Sequence, residues 1–316
     1  MLALVSCKTT HSPEPAKQIS QAKPEPLPPP KVRSEIQLYP VKIGSKFGFM
    51  NKAGKTALAP KWLWASRFSD GLAVVQDSAN KKFGYIDPAG KYVIKPQFAV
   101  ADTFSEGLAS VRVKGQIGCI NKEGKLVIDP KFAKIHHFSD GIAGAIFKEQ
   151  PRGILVYSGG FINQKGEAVI KPQFDGITTF SEGLAGVQRF AKKWSFIDKT
   201  GKDVIAPQFE GAGQFSEGLA AVQGGTAQKY KWGYIDRQGT LVVPYRFHTV
   251  QFFTEGLAAV QPEEGGKWGY IDRKGSFVLK PQYDDVDPFW GGLARVMMAG
   301  KVGYIDPTGK YIWGPR

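Results

Sequence analysis

The six residues Lys231 to Asp236 read KWGYID, and the same six letters return at Lys267 to Asp272. Weaker copies of this hexapeptide occur along most of the chain. Their third residues fall at positions 48, 84, 118, 160, 195, 233, 269 and 303. Self-similarity at a period of about 35 residues is the signature of a repeat architecture, in which each unit packs against its neighbours. The chain is therefore expected to be an array of small equivalent units.

Each unit is predicted to contain three short antiparallel strands. A turn with glycine follows the hexapeptide, and a second apolar run such as Tyr92 to Pro96 comes next. Two apolar runs around such a turn predict a β-hairpin, in which glycine supplies the positive φ. A short Leu-Ala-x-Val strand precedes each hexapeptide. The 38 Gly and 21 Pro, and the lack of a sustained helical period, indicate an all-β chain.

Two sets of side chains recur at fixed places in the unit. Aromatic residues after the second strand and before a Ser-Glu-Gly turn are expected to pack between units. Carboxylates in that turn have two possible roles. They bind cations or a basic partner, or they cap backbone N–H groups in the turn, and we favour the capping role. These carboxylates are Asp70, Glu106, Asp140, Glu182, Glu217 and Glu255.

The repeated motifs closely resemble the WG-repeat family of bacterial proteins. That family has the pattern Trp-Gly-Tyr-Ile-Asp, a Gly turn, Val-Ile-x-Pro-x-Phe, and Phe-x-Glu-Gly-Leu-Ala-x-Val. The resemblance covers roughly residues 34–316, although only Trp194, Trp232 and Trp268 keep the tryptophan of the name. It implies a repeat architecture and leaves the activity open, because a fold does not fix a function.

The array itself can be open or closed. We predict eight three-stranded antiparallel meanders of about 35 residues, stacked over residues 36–316 as an open, solenoid-like array. A closed propeller-like ring is the alternative. The open form is favoured because propellers commonly close by pairing strands from both termini within one blade, and neither end of this chain splits a unit. Repeats of this length are also short for four-stranded blades.

The N-terminal residues suggest a lipid anchor. Residues 1–7 read MLALVSC, and their last four resemble a bacterial lipobox that ends in a lipidated Cys7. Residues 8–35 are rich in Pro, Lys, Glu and Gln, which is typical of a disordered spacer. The apolar run is shorter than a secretory signal requires, so the start lies upstream, the sequence is trimmed, or the match is accidental. We expect a lipid-anchored protein of the bacterial cell envelope; a soluble secreted or cytoplasmic chain is the alternative.

Composition argues against several classes of function. The net charge of +14 comes from basic residues spread over every repeat, without a nucleic-acid-binding motif. Cys119 occupies an apolar position, and the His136–His137 pair is expected in a surface loop. The four His and two Cys match no metal site, phosphate loop or nucleophilic triad. No enzyme, metal or cofactor is therefore expected.

We predict a non-enzymatic interaction or scaffold protein that binds an unidentified protein partner and touches the membrane only through its anchor. The alternative is a glycan-binding or cell-wall-binding module that stacks sugars on surface aromatics, with Trp62, Trp64, Trp290 and Trp313 as candidates. The irregular segment 147–160 accounts for the longest interval between copies. It is either part of a binding face or a neutral loop expansion.

Overall fold

The structure is a computed structural model that describes residues 37–149, 156–190, 192–226 and 229–315. The N-terminal segments 1–7 and 8–35, with Cys7, lie outside the described residues. Every regular element in the described part of the chain is a β-strand. Within the same residues, no helix has the length and apolar character needed to cross a membrane.

The strands form eight separate antiparallel sheets, called blades 1 to 8 in chain order. The first four blades contain β1 (Leu38–Ile43), β2 (Lys46–Asn51) and β3 (Thr56–Trp62); β4 (Trp64–Ala65), β5 (Ala73–Gln76), β6 (Phe83–Ile86) and β7 (Tyr92–Phe98); β8 (Ala109–Val113), β9 (Gln116–Ile120) and β10 (Leu126–Phe132); β11 (Lys134–Ile135), β12 (Ile142–Glu149), β13 (Val156–Asn163) and β14 (Ala168–Phe174).

The last four blades contain β15 (Gly176–Ile177), β16 (Ala185–Gln188), β17 (Trp194–Ile197) and β18 (Asp203–Phe209); β19 (Gly211–Ser216), β20 (Leu219–Thr226), β21 (Lys229–Ile235) and β22 (Leu241–Phe247); β23 (Thr249–Val250), β24 (Ala258–Gln261), β25 (Trp268–Ile271) and β26 (Phe277–Tyr283); β27 (Asp285–Val286), β28 (Ala294–Met298), β29 (Lys301–Ile305) and β30 (Tyr311–Trp313).

Six of the blades have four strands, one more than predicted. We call the four positions A to D in chain order, with the hexapeptide in strand C. Strand A is the one that the sequence did not reveal, because in most blades it is only two residues long. In blade 2, Trp64 and Ala65 pair with Gln76 and Val75. A two-residue turn at Asp70 and Gly71, both at positive φ, connects strands A and B.

The glycine of the hexapeptide is required by the strand beside it. A Cβ atom on Gly233 would lie 2.4 Å from the carbonyl oxygen of Val243, and one on Gly269 would lie 2.6 Å from that of Leu279. Strand D shifts its register at this level in both blades, which brings its backbone close to strand C. The close approach of two backbones explains a glycine in the middle of a buried strand.

The blades share one pattern of core packing. The fourth residue of the hexapeptide, such as Tyr234 or Tyr270, is fully buried. Its ring packs against the Phe that precedes the A–B turn, with centroids 4.8 Å apart for Tyr234 and Phe253. Cys119 takes the place of this aromatic ring in blade 3, and burial raises the pKa of its thiol to about 12. The predicted aromatic packing and the predicted apolar role of Cys119 are thus confirmed.

The eight blades close into a ring, a β-propeller. At each junction the glycine turn between strands C and D packs against strand D of the preceding blade, as Gly239 does against Ile205. Gly54 of blade 1 meets the carbonyl of Ile312 of blade 8 in the same way. A core cluster joins Tyr39, Val41 and Met50 of blade 1 to Leu293, Tyr304 and Trp313 of blade 8. The closed ring, rather than the favoured open array, is therefore the architecture.

Among the described residues, no blade pairs strands from both ends of the chain. Blade 1 has strands B, C and D in the described residues, and Pro40 stands where blade 2 has Val74. In blade 2, Ser66 directly after strand A donates its backbone N–H to the Val74 carbonyl, and its hydroxyl oxygen accepts from the Val74 N–H. Pro40 has no N–H to leave unpaired, and its carbonyl accepts a 2.7 Å hydrogen bond from the Tyr304 hydroxyl. Side chains from blade 8 thus complete the edge of blade 1.

Candidate interaction face

The ring has two different ends. In each meander the A–B and C–D turns lie at one end, which we call the turn face. The B–C loops and the links between blades lie at the other end, which we call the connection face. This assignment follows from the antiparallel order of the strands in every blade.

On the turn face, the six repeated carboxylates hold neighbouring blades together. Asp70 accepts a hydrogen bond of 2.8 Å from the backbone N–H of Gly107, in the equivalent turn of the next blade. The same contact recurs from Gly141 to Glu106, Gly183 to Asp140, Gly218 to Glu182, Gly256 to Glu217 and Gly292 to Glu255. The carboxylates are backbone caps, as we favoured, but each caps a turn in the following blade. Within the described residues, no His, Cys, Asp and Glu side chains are grouped as a metal site.

The connection face is uneven because two B–C hairpins are long. Strands β12 and β13 pair as far as Glu149 with Val156, and β20 and β21 as far as Thr226 with Lys229. In blade 5 the corresponding pairing ends at Gln188 with Trp194. Three further residue pairs at about 3.4 Å each extend the hairpins of blades 4 and 6 by about 10 Å. Residues 147–149 and 156–160 of the irregular segment belong to strands β12 and β13 of blade 4, and residues 150–155 lie outside the described residues.

Apolar side chains are exposed on and between these hairpins. Tyr157 in blade 4 is 53% exposed, Phe190 in the B–C loop of blade 5 is 84% exposed, and Tyr230 in blade 6 is 37% exposed. Val156 beside Tyr157 is 42% exposed. We call these four residues the aromatic ridge. Large exposed apolar patches often mark sites of interaction.

Side-chain contacts connect the three blades of the ridge. The Arg189 guanidinium of blade 5 lies 5.2 Å from the ring centroid of Phe174 in blade 4. On the other side, Lys193 forms a 3.0 Å ion pair with Glu210 at the start of blade 6. Hydrogen bonds from Lys193 and Tyr230 lower the pKa of the Glu210 carboxyl. Blade 5 is therefore tied to both neighbours beneath the exposed rings.

The hairpin of blade 6 is supported from its own strand D. A Cβ on Gly224 would lie 2.5 Å from the Tyr245 ring, so this ring lies directly on the hairpin backbone. On the same face, a cleft of about 220 Å³ opens in blade 7, lined by Pro262, Glu263, Gly266, Lys267 and Pro281. That volume is smaller than most sites for small molecules.

The structure does not bring the four candidate tryptophans together. Trp62 takes the place of the strand D phenylalanine and is 1% exposed, and Trp313 is 8% exposed against Tyr304. Trp290 is half-buried against Tyr39, with ring centroids 5.6 Å apart. Only Trp64 of the four is largely exposed, at 42%. Burial removes Trp62 and Trp313 as stacking platforms, because their faces are covered by neighbouring blades.

The sequence contained a signal for the ridge in the spacing of the copies. The intervals that end at positions 160 and 233 are the two longest, and they belong to blades 4 and 6. Only the first of these was singled out as irregular. Phe190 was missed because nothing in its short loop marks one aromatic residue as exposed.

His136 directly follows strand A of blade 4 and is half-buried, and its backbone N–H donates to the Gly144 carbonyl at 2.8 Å. Burial, and then the nearby Lys134 charge, lower its pKa from 6.5 to about 4. As the pH falls through this window, the unfolded chain takes up the proton first, so His136 reduces the free energy of unfolding between pH 6.5 and 4.

His136→Thr, which introduces the residue that blade 5 has at this position (Thr178), is expected to flatten this pH dependence. The full difference between the two pKa values corresponds to a change of about 3 kcal/mol at most in the free energy of unfolding. Urea unfolding at pH 7 and pH 4.5 measures the change. The exposed neighbour His137→Thr is the control, since blade 5 also has a threonine there (Thr179). Equal pH dependence in both variants would contradict the assignment.

Comparisons with known proteins agree with this architecture. The family model described as "WG containing repeat" matches residues 47–80, 83–116, 117–146, 160–189, 194–223, 232–268 and 268–301. The dihydro-heme d1 dehydrogenase NirN, solved with DHE, is 12% identical with a TM-score of 0.56, over 90% of this chain and 74% of that one. The Pyrococcus horikoshii acylaminoacyl peptidase is 10% identical with a TM-score of 0.50, over 89% of this chain.

Identities this low indicate a shared fold alone. The matched region is also about half of the peptidase, since the chain covers 52% of it. No curated protein matches the chain. The seven matched segments cover most of the ring, so the chain belongs to the WG-repeat family.

Proposed function

We propose that this chain is a non-enzymatic interaction protein of the bacterial cell envelope that binds a protein partner through the aromatic ridge. The observation that carries the proposal is the exposure of Tyr157, Phe190 and Tyr230 on three consecutive blades of the connection face. Large aromatic side chains held on rigid elements are the typical centres of protein interfaces, because they bury much apolar area at little entropic cost.

The ridge is suited to binding because side-chain contacts between blades support it. The Arg189 contact with Phe174 and the Lys193–Glu210 ion pair join the three blades beneath it. Binding to a pre-organised surface loses less conformational entropy than binding to mobile loops. The turn face, by contrast, directs its carboxylates to neighbouring blades.

The glycan-binding alternative now depends on fewer residues. Trp64 lies next to Phe83 on blade 2, with ring centroids 6.0 Å apart. Of the four candidate tryptophans, Trp64 is the one that is largely exposed. A protein partner is favoured because the ridge presents three separate rings spread over three blades.

A photoreactive amino acid placed at Phe190 tests the proposal in cells of the native bacterium. We expect irradiation to yield a discrete crosslinked protein. The matched control carries the same group at Ala89, which is exposed on the turn face. The same crosslinked products from both positions, or none from Phe190, would rule out the ridge as the binding surface.

The envelope location is proposed from the sequence of residues 1–7 alone. Cys7 would receive the lipid, and the segment 8–35 would serve as the spacer between the membrane and the ring. In a chain expressed from its native start, Cys7→Ser is expected to abolish metabolic labelling with palmitate. Undiminished labelling of the variant would exclude Cys7 as the site of lipidation.

A further inference from the structure

The connection face gathers lysines that the sequence scatters over the repeats. The first residue of the hexapeptide is Lys46, Lys82, Lys193, Lys231, Lys267 or Lys301 in six of the eight copies. This residue begins strand C, or lies within or directly before it, next to the B–C loop. Because every strand C starts at the connection face, these lysines encircle that end of the ring. Lys81, Lys114 and Lys192 in the B–C loops add to them.

Few carboxylates on this face neutralise the lysines. Glu210 pairs with Lys193, and Asp284 pairs with Lys267. Asp77 accepts hydrogen bonds from its own loop backbone and from the Tyr92 hydroxyl. In the part of the chain that the structure describes, Lys82, Lys192 and Lys301 form no ion pair.

The turn face differs because carboxylates match its basic residues. Its C–D turns carry exposed lysines such as Lys91, Lys202 and Lys310. The same turns contain capping carboxylates such as Asp87, Asp198 and Asp306. The six interblade carboxylates lie at the same end of the ring. The excess positive charge of the ring is therefore greatest on the connection face, where the aromatic ridge lies.

We infer that the partner bound at the connection face presents an acidic protein surface. The inference rests on the proposed function and specifies the chemistry of its partner. Lysines around exposed aromatic rings attract carboxylates during encounter and leave the rings to form the apolar centre of the interface. Glu263 and Glu264 interrupt the lysines at blade 7. Such mixed charge suits a protein surface better than the uniform phosphate backbone of nucleic acid.

Charge reversal on one face at a time tests the inference. The variant Lys82→Glu, Lys192→Glu, Lys301→Glu alters exposed lysines of the connection face. Its matched control, Lys91→Glu, Lys202→Glu, Lys310→Glu, makes the same net charge change on the turn face. The probe is poly-L-glutamate immobilised on a sensor at low ionic strength. We expect the first variant to bind at least about tenfold more weakly and the control to change by less than about threefold.

Equal losses of affinity for poly-L-glutamate in the two variants, or no loss of affinity in either, would overturn the inference. Duplex DNA is the second probe, and tighter, face-specific binding to DNA than to poly-L-glutamate would also overturn it. Melting temperatures near that of the unaltered chain would confirm that both variants are folded. The proposed function is tested separately by crosslinking at Phe190. Face-specific binding of poly-L-glutamate without a crosslink would refute the aromatic ridge and leave the acidic partner supported.

Discussion

A chain that ends at Ala299 is expected to lose its cooperative fold or to precipitate. The truncation removes β29 and β30, and with them Tyr304 and Trp313, which pack against Tyr39 of blade 1. It also removes Ile312, which meets the Gly54 turn. Both interfaces of blade 8 change, and strand B of that blade becomes an unprotected edge that can pair with other chains.

Circular dichroism and size-exclusion chromatography measure this outcome. The control is removal of residues 1–36, which leaves every described strand in place and is expected to keep the melting temperature. An open array predicts the opposite for the truncation at Ala299, because each remaining unit would keep its neighbours. A soluble, truncated chain with a melting temperature near the original would therefore argue against closure.

Gly233→Val is expected to destabilise the ring by about 3 kcal/mol or more, because it overpacks a buried strand against backbone. The new Cβ would lie 2.4 Å from the Val243 carbonyl oxygen, and the two methyl groups would crowd the same strand. Backbone cannot rotate away as a flexible side chain does, so blade 6 must open or shift. Chemical denaturation monitored by tryptophan fluorescence measures the loss.

The matched control is Ser195→Ala in blade 5, where the equivalent position already carries a Cβ. Ser195 donates to Asp203 at 2.9 Å and accepts from Arg189 at 3.2 Å. Loss of these hydrogen bonds is expected to destabilise by about 1 kcal/mol. If Gly233→Val were no more damaging than this control, the steric role of the glycine would be refuted.

The sequence predicted strands B, C and D well because their signals are local. The hexapeptide, the glycine turn and the proline each indicate the backbone conformation or hydrogen bonding of the few residues around them. At Gly239 and Gly275, φ is 84° and 85°, as the predicted turns require. The buried aromatic residues were also predicted, since their recurrence at fixed positions implies equivalent surroundings in every unit.

Strand A and closure of the ring were not predictable in the same way. Trp64 and Ala65 form a strand only because β5 lies beside them, and two residues carry no periodicity. Closure depends on contacts such as Tyr304 with Pro40, separated by 264 positions. An isolated tyrosine and an isolated proline give no indication that they meet. The exposed ridge likewise depends on how the hairpins of individual blades differ in length, and the features common to all repeats do not reveal such differences.

Within the described residues, side chains of blades 2 and 8 lie where blade 1 would have a strand A, and this has a consequence for how such rings can change. Arg67 of blade 2 reaches Asp287 of blade 8 at 3.1 Å, past the place where blade 1 would have its strand A. At this junction the Gly54 turn meets Ile312 as the other glycine turns meet the preceding blade. Whole units can in principle be gained or lost by gene duplication or deletion without inventing a new closure. The number of blades can then differ among related proteins, while each junction keeps the same packing of a glycine turn against the preceding blade.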